Sequence, residues 1–325
     1  MYGSCARGML RGMTLAAPKF GAPLPQTRGE LFVTDGGLET DLIFHHDVDL
    51  PYFAAFPLLD NARGRALLAH YYDGYAAIAA SARAGLMLET PTWRASIDWG
   101  ERLGYSRTDM ARVNRMSVAI LGFLRDQYAD SISQILISGM VGPRGDGYRP
   151  AARTDPDGAA AYHRPQAEAF AEAGADLLSA YTLTDVGEAI GITRVAREVG
   201  LPVAISFTVE TDGRLPSGPT LARAIETVDR EAPPDYYLVN CAHPRHIEAG
   251  LAEPGAWRDR VMGLRVNAST RSHAELDDAT ELDEGDPRAL AQDHKRLMSL
   301  LPRLSIIGGC CGTDARHVAA LWGNP

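Results

Sequence analysis

Leu304-Ser305-Ile306-Ile307-Gly308-Gly309-Cys310-Cys311-Gly312-Thr313-Asp314 passes from a short apolar run through a glycine elbow to an acidic residue suited to cap a helix. Helical spacing then continues from Asp314 to Leu321. Working outward, the same unit recurs: a β-branched or apolar run, a polar turn, then an Ala-, Glu- and Arg-rich segment of helical period. The other runs are Leu31 to Thr34, Leu86 to Thr90, Gln134 to Ser138, Asp176 to Ala180, Pro202 to Phe207, Tyr236 to Asn240 and Val261 to Val266. The segments of helical spacing are Arg65 to Ala84, Thr108 to Tyr128, Asp155 to Ala173, Asp185 to Val199, Thr220 to Glu231, His243 to Leu251 and Pro287 to Leu300. Several open on a capping residue, as Asp155 before Pro156, and close at glycine, as at Gly85, Gly174 and Gly200. Strict alternation predicts a parallel sheet, because each crossover helix returns the chain to the same edge. Eight such units predict a closed (β/α)8 TIM barrel in the α/β class, one domain over residues 29–325. A doubly wound open sheet is the alternative for the same pattern. Residues 1–28 carry Gly, Pro and Arg without a sustained apolar core and read as a loose leader, with Met9 and Met13 as alternative starts.

In such a barrel, sites form where strands end and the following loops begin. Asp35-Gly36-Gly37 follows the first run, Glu89 and Thr90 close the second, Gly139 to Gly142 follow the third, and Tyr181 and Thr182 follow the fourth. Phe207 and Thr208 end the fifth, Asn240 and Cys241 the sixth, Asn267 the seventh, and Gly308 to Cys311 the eighth. Closure makes the eighth strand a neighbour of the first. Cys241, Cys310, Cys311 and Asp35 are therefore expected on one rim.

Three thiolates can hold one zinc ion and leave its fourth tetrahedral position to a substrate. The remaining cysteine, Cys5, lies in the leader and is a poor candidate to complete the set. Glycines on both sides of the Cys310-Cys311 pair let the backbone turn sharply, so that consecutive side chains reach one ion. Zinc with three thiolates is a weak Lewis acid, but it lowers the pKa of an entering thiol from about 8.5 and keeps the sulfur nucleophilic. That chemistry suits alkyl transfer to a thiol. The competing readings are buried structural thiols or an adjacent pair that oxidises. His243, His246 and His317 fall at helix starts and read as hydrogen-bonding groups rather than ligands. His45 and His46, beside Asp47, are placed in a loop, and the acidic run Glu275 to Asp286 reads as a solvated loop. Glu89 reads as a salt-bridged wall residue, or as a pocket carboxylate. Trp93 reads as a rim or core aromatic.

A net charge of −9 with scattered arginines offers no face to a phosphate backbone, so nucleic acid is not an expected partner. No apolar run approaches the about 20 residues of a membrane span. Four cysteines without regular close spacing do not form a disulfide framework, and free thiolates suit the reducing cytoplasm. Small-molecule substrates are expected; a homo-oligomer is left open.

At these residues the chain resembles the homocysteine S-methyltransferase family, over about Leu31 to Trp322. The strongest pieces are Asp35-Gly36-Gly37-Leu38-Glu39-Thr40, Val239-Asn240-Cys241 and Gly308-Gly309-Cys310-Cys311-Gly312-Thr313. Ser138 to Pro143, Tyr162 to Gln166, Ile205 to Thr208 with Gly213 and Gly218, and the helix start at His317 support them. The resemblance implies that Cys241, Cys310 and Cys311 ligate zinc, that homocysteine is the acceptor and methionine the product. It also implies that Asp35 lies near the amino group of homocysteine, that Gly36 and Gly37 offer N–H groups to its carboxylate, that Asn240 orients the neighbouring cysteine or a donor group, and that Thr90 lines the pocket. Two positions depart from the pattern. The family's Phe-Glu-Thr after the fourth strand, whose Glu helps hold the amine, is Ala180-Tyr181-Thr182 here, and the alternative reading of Glu89 is that it replaces this missing carboxylate. After the second strand, an aromatic-Gln or aromatic-Tyr pair is Trp93-Arg94, with Arg94 read as a clamp on a donor carboxylate or as a solvated side chain. Neither a segment resembling a cobalamin or folate domain nor the long extension of betaine-dependent members follows Pro325. The expected donor is therefore a small sulfonium, S-methylmethionine or S-adenosylmethionine. Betaine is the alternative, faced by Trp93, Trp99, Tyr52 and Phe53. The same residues also admit a different thiol or selenol acceptor, or a non-catalytic descendant that binds zinc or a thiol metabolite. A zinc hydrolase is disfavoured, because no His and carboxylate cluster appears at the strand ends.

Overall fold

Side chains alternate across a strand, and in this protein the alternation sorts the apolar runs into two shells. The computed structural model describes residues 23–145, 147 and 154–323. Its strands are β1 Phe32–Val33, β2 Gly85–Glu89, β3 Ile135–Val141, β4 Leu177–Leu183, β5 Val203–Phe207, β6 Tyr236–Asn240, β7 Val261–Val266 and β8 Ile306–Gly309. Neighbours in sequence pair in parallel, and β1 also pairs with β8, with Phe32 opposite Ile306 and Val33 opposite Ile307. That pairing closes the ring and excludes the open doubly wound sheet.

Phe32, Met87, Leu177, Tyr236, Met262 and Ile306 meet inside the barrel. Their neighbours Val33, Leu86, Leu88, Val203 and Ile205 face the surrounding helices. These helices include α1 Leu38–His46, α2 Ala62–Ala82, α3 Ile97–Arg102, α4 Arg107–Tyr128, α5 Pro156–Ala173, α6 Val186–Glu198 and α7 Leu221–Glu231. After them come α8 Pro244–Gly250, α9 His273–Asp277, α10 Pro287–Met298 and α11 Ala315–Leu321. Asp155, Asp185, Thr220, Asp286 and Asp314 cap their helices through side-chain oxygens, as their positions in the sequence suggest. Among the described residues no helix is long and apolar enough to cross a membrane.

Several expectations are corrected. Helix α1 was not expected after a glycine pair, and it places His45 and His46 in a helical last turn instead of a loop. The helix before β2 ends at Arg83 with φ +53; Gly85 belongs to β2, where a Cβ would meet the Phe32 ring at 2.5 Å. Strand β4 runs on to Leu183, so Tyr181 and Thr182 lie within it rather than after it.

The stretch read as a loose leader is held from Leu24 onward. Pro25–Arg28 forms a 3-10 turn, Leu24 and Gln26 are buried, and Gln26 Nε2 donates to the Tyr236 hydroxyl at 3.2 Å. Tyr236 is fully buried inside the barrel, so its hydroxyl would otherwise lack a partner in this shell. Cys5, Met9 and Met13 lie outside the described residues. Because Leu24 packs with Phe32 and Tyr236, Leu24→Ala is expected to cost about 2–3 kcal/mol of stability. Urea denaturation should show a lower midpoint with an unchanged slope; an unchanged midpoint would show that the turn does not support the barrel.

Candidate active site

The last residue of β6 is followed by Cys241 at φ +57, a left-handed conformation that is uncommon for a residue with a Cβ. Its backbone is held on both sides. Cys241 N donates to Arg265 O at 3.1 Å, while its carbonyl accepts from His273 Nε2 at 2.7 Å and Thr208 Oγ1 at 3.2 Å. At the end of β8, Cys310 N donates to Val266 O at 2.8 Å, and Ala268 N donates to Cys311 O at 3.1 Å. The three sulfurs consequently lie within 4.8 Å of one another, with Cys241 Sγ and Cys311 Sγ 3.5 Å apart. Zinc–sulfur bonds of about 2.3 Å at tetrahedral angles require sulfurs about 3.8 Å apart. The donor set therefore fits one tetrahedral thiophilic ion.

The glycines serve close approach. A Cβ on Gly308 would lie 2.1 Å from Thr34 Oγ1, one on Gly309 2.0 Å from Thr313 Oγ1, and one on Gly37 2.5 Å from Cys310 O. The turn after β1 is thus pressed against the cysteine turn. Donation from the Cys241 and Cys311 thiols holds Cys310 well toward the thiolate, assisted by Arg265 and the Asn240 amide, while the same bonds push the Cys241 thiol up. Asn240 joins the two halves of the rim. Its Oδ1 accepts from Thr182 N at 2.8 Å and Ser206 Oγ at 2.7 Å, and its Nδ2 faces Thr182 Oγ1 at 2.9 Å and Cys310 Sγ at 3.7 Å.

Beside the thiols lies a polar floor that the sequence only partly foreshadows. Arg265, on β7, is the one buried arginine among the described residues. Its Nη2 lies 2.5 Å from Asp35 Oδ1 and donates to Gly36 O at 3.0 Å, its Nε donates to Gly309 O at 3.0 Å, and its guanidinium rests on the Tyr181 ring at 4.9 Å. An arginine at an inward position of an otherwise apolar strand was the available signal. Burial still raises the Asp35 carboxyl above its ordinary range, against the pull of Arg265 and the Tyr71 hydroxyl. Tyr181 donates to Glu89 Oε1 at 2.7 Å. Burial pushes Glu89 up to about 7 in spite of Arg265, Tyr181 and Ser138. Glu39 is likewise pushed up to about 7, by burial first and then by Cys310 and Asp35.

Asp35, Gly36, Glu39, Glu89, Tyr181 and Arg265 line one cavity of about 360 Å³, together with Thr90, Trp93, Arg94, Phe44 and Phe53. The remaining expectations divide. Asp35, Thr90, Asn240, Tyr181 and Arg94 do line the cavity with the three cysteines. Gly37 does not offer its N–H to a ligand, because it donates to Thr313 O at 2.9 Å. The Thr90 hydroxyl is engaged in a ring: Met140 N donates to it at 2.8 Å, and it contacts Thr92 Oγ1 at 2.6 Å, which in turn donates to Met140 O at 2.7 Å. Arg94 is not a solvated side chain; it is stacked between Trp93 and Trp99, at 4.3 and 4.0 Å, and donates to Gly145 O.

His243 caps α8, His317 belongs to the cap of α11, and neither they nor His246 join the sulfur cluster. The acidic run is not simply solvated. Leu276, Asp277, Ala279, Glu281, Leu282 and Asp283 form a strap along the cavity. Its apolar residues give it a half-buried side, and Glu284 is pinned by His45 Nε2 at 2.9 Å and Arg316 Nη2 at 2.6 Å. His45 Nδ1 in turn lies 2.8 Å from Asp41 Oδ1, which makes both residues part of the anchorage of the strap.

The sequence model of one family, described as homocysteine S-methyltransferase, matches residues 32–323. Homocysteine S-methyltransferase 3 of Zea mays is 23% identical over 315 residues, covering 90% of this chain and 89% of that protein. Selenocysteine Se-methyltransferase of Brassica oleracea var. italica is 24% identical over 319 residues, covering 90% and 88%. The metallated form of the homocysteine methyltransferase MmuM from Escherichia coli superposes with a TM-score of 0.69 at 21% identity, covering 91% of this chain and 96% of that one, which supports the shared barrel fold.

The raised carboxyl of Glu89 makes a prediction about pH. With a folded-state value of about 7 against an ordinary 4.5, its contribution to stability is complete below pH 4.5 and is lost as pH rises through about 7. Glu89→Gln removes that dependence. Urea unfolding of the metal-free protein at pH 5 and pH 7.5 should show the variant gaining stability relative to wild type at the higher pH; parallel profiles would contradict the assignment.

Proposed function

The chain belongs to the homocysteine S-methyltransferase family, and from that premise we propose that it transfers a methyl group from a small sulfonium donor to the thiol of homocysteine, giving methionine. The donor is S-methylmethionine or S-adenosylmethionine, and zinc held by Cys241, Cys310 and Cys311 is the cofactor. The observation that carries the reading is the meeting of three sulfurs in the wall of the acidic cavity, with no fourth His, Cys, Asp or Glu in the group among the described residues. Zinc bound there lowers the pKa of an incoming thiol while leaving its sulfur nucleophilic.

The residues supply the surroundings for a displacement in which the donor C–S bond breaks as the new C–S bond forms. The donor leaves as a neutral thioether, and the acceptor proton goes to solvent. Asn240 and Arg265 fix the turns that carry the sulfurs. The strap and the aromatic wall of Trp93, Phe44 and Phe53 narrow the path of water to the reacting atoms. Betaine fits less well at the tryptophans, because its quaternary ammonium needs open aromatic faces. Here Arg94 covers Trp93 and Trp99, and Arg102 lies over Trp99 at 4.4 Å. Free thiols in such a site suit a reducing compartment, the cytoplasm.

The test is purification under reducing conditions, zinc analysis, and assay of methionine formation with S-methylmethionine, S-adenosylmethionine and betaine in parallel. About one zinc per chain and turnover with a sulfonium donor are expected. Zinc and homocysteine binding without methyl transfer would instead favour a sensor, and a zinc-free protein would overturn the reading. Cys311→Ala should lower zinc affinity and turnover together by more than about 100-fold, beyond what loss of a ligand's supporting contact costs.

A further inference from the structure

We propose that Glu89 is the anchor for the ammonium group of the acceptor thiol and that Tyr181 is its positioning residue; this rests on the reading of the site as an aminothiol methyltransferase. Glu89 is 1% exposed and lines the same cavity as the three cysteines. One of its oxygens, Oε1, accepts the Tyr181 hydroxyl at 2.7 Å, while Oε2 is buried with no hydrogen-bond partner. A buried carboxylate oxygen without a donor is costly, and a ligand that supplies an N–H removes the cost.

Charge points the same way. Asp35 and Glu89 face a single buried guanidinium, Arg265. Arg265 uses Nη2 on Asp35 and Gly36 O, and Nε on Gly309 O. Asp35 therefore has its cation in contact, whereas the side chains that hydrogen-bond Glu89, the Tyr181 phenol and the Ser138 hydroxyl, are neutral. The floor lacks one positive charge on the Glu89 side, and an ammonium group fits that deficit.

The carboxylate is also held still. The Tyr181 ring is packed against the Arg265 guanidinium, and its backbone carbonyl accepts from Trp93 Nε1 at 3.4 Å. Both substrates of the proposed reaction carry an ammonium group, so its source must be chosen. Glu89 belongs to a strand and lies in the floor, whereas the acidic strap residues Asp277, at the end of α9, and Glu281, after it, line the cavity from outside the barrel strands. The ligand that reaches both the floor and the sulfurs is the acceptor.

The experiment uses the zinc-loaded, reduced protein and measures calorimetric affinity for homocysteine and for 4-mercaptobutanoic acid, which differs only in lacking the amino group. Wild type is expected to prefer homocysteine by about 10- to 100-fold, the range for a charge-assisted hydrogen bond. Glu89→Gln should erase most of that preference by weakening homocysteine alone, with zinc content retained. Tyr181→Phe, nearly isosteric, should reduce the preference by a smaller factor. In turnover, the change should fall on KM for the thiol and leave KM for the donor in place. Equal affinities of the two thiols in wild type would overturn the inference. So would equal weakening of both by Glu89→Gln, or an effect confined to the donor KM. A retained preference for homocysteine with no methyl transfer from any donor would support the anchor while refuting the proposed reaction.

Discussion

One buried guanidinium holds the functional end of this barrel together. Arg265 reaches from β7 to the turn after β1, through Asp35 and Gly36 O, and to the end of β8, through Gly309 O. Those are the two turns whose glycines allow backbone contact beside Cys310. Burying an arginine is expensive unless its donors are satisfied and its charge is matched. Here the match is with carboxylates that would themselves be costly to bury. Remove the guanidinium and Asp35 becomes an uncompensated buried charge, while the β1 turn loses its tie to the cysteine turn. The candidate metal centre thus depends on an interaction in which none of the sulfurs takes part directly.

Around that tie the chain accepts local strain. Cys241, directly after β6, and Thr182, within β4, both sit at positive φ, 57° and 63°. Such conformations persist only where several contacts agree on them. Asn240 supplies some, binding Thr182 through both its amide groups, and His273 with Thr208 fixes the Cys241 carbonyl. The result brings sulfurs 70 residues apart in sequence to 3.5 Å.

The barrel and its cysteines were legible because they rest on local rules. Strand period, helix caps and turn glycines are written in contiguous residues, and closure of the ring then carries Cys241 to Cys310 and Cys311 without further information. What escaped was the part that depends on partners distant in sequence. Arg265 looked like one more arginine because its value lies in Asp35, Gly36 and Gly309. The acidic strap looked solvated because its charges outnumber Leu276 and Leu282, whose place along the cavity only the fold reveals. Gly37 was expected to offer an amide to a ligand, but its N–H is consumed by Thr313. Tyr181 read as the loss of a carboxylate; in the folded chain it holds Glu89 in the same cavity.

The zinc site proposed here is open: three protein sulfurs hold the ion and the acceptor thiol completes it. X-ray absorption at the zinc edge of the reduced protein tests it most directly. Three sulfur scatterers at about 2.3 Å are expected, rising to four when homocysteine is added. A first shell that already holds four protein ligands and does not change with homocysteine would contradict it.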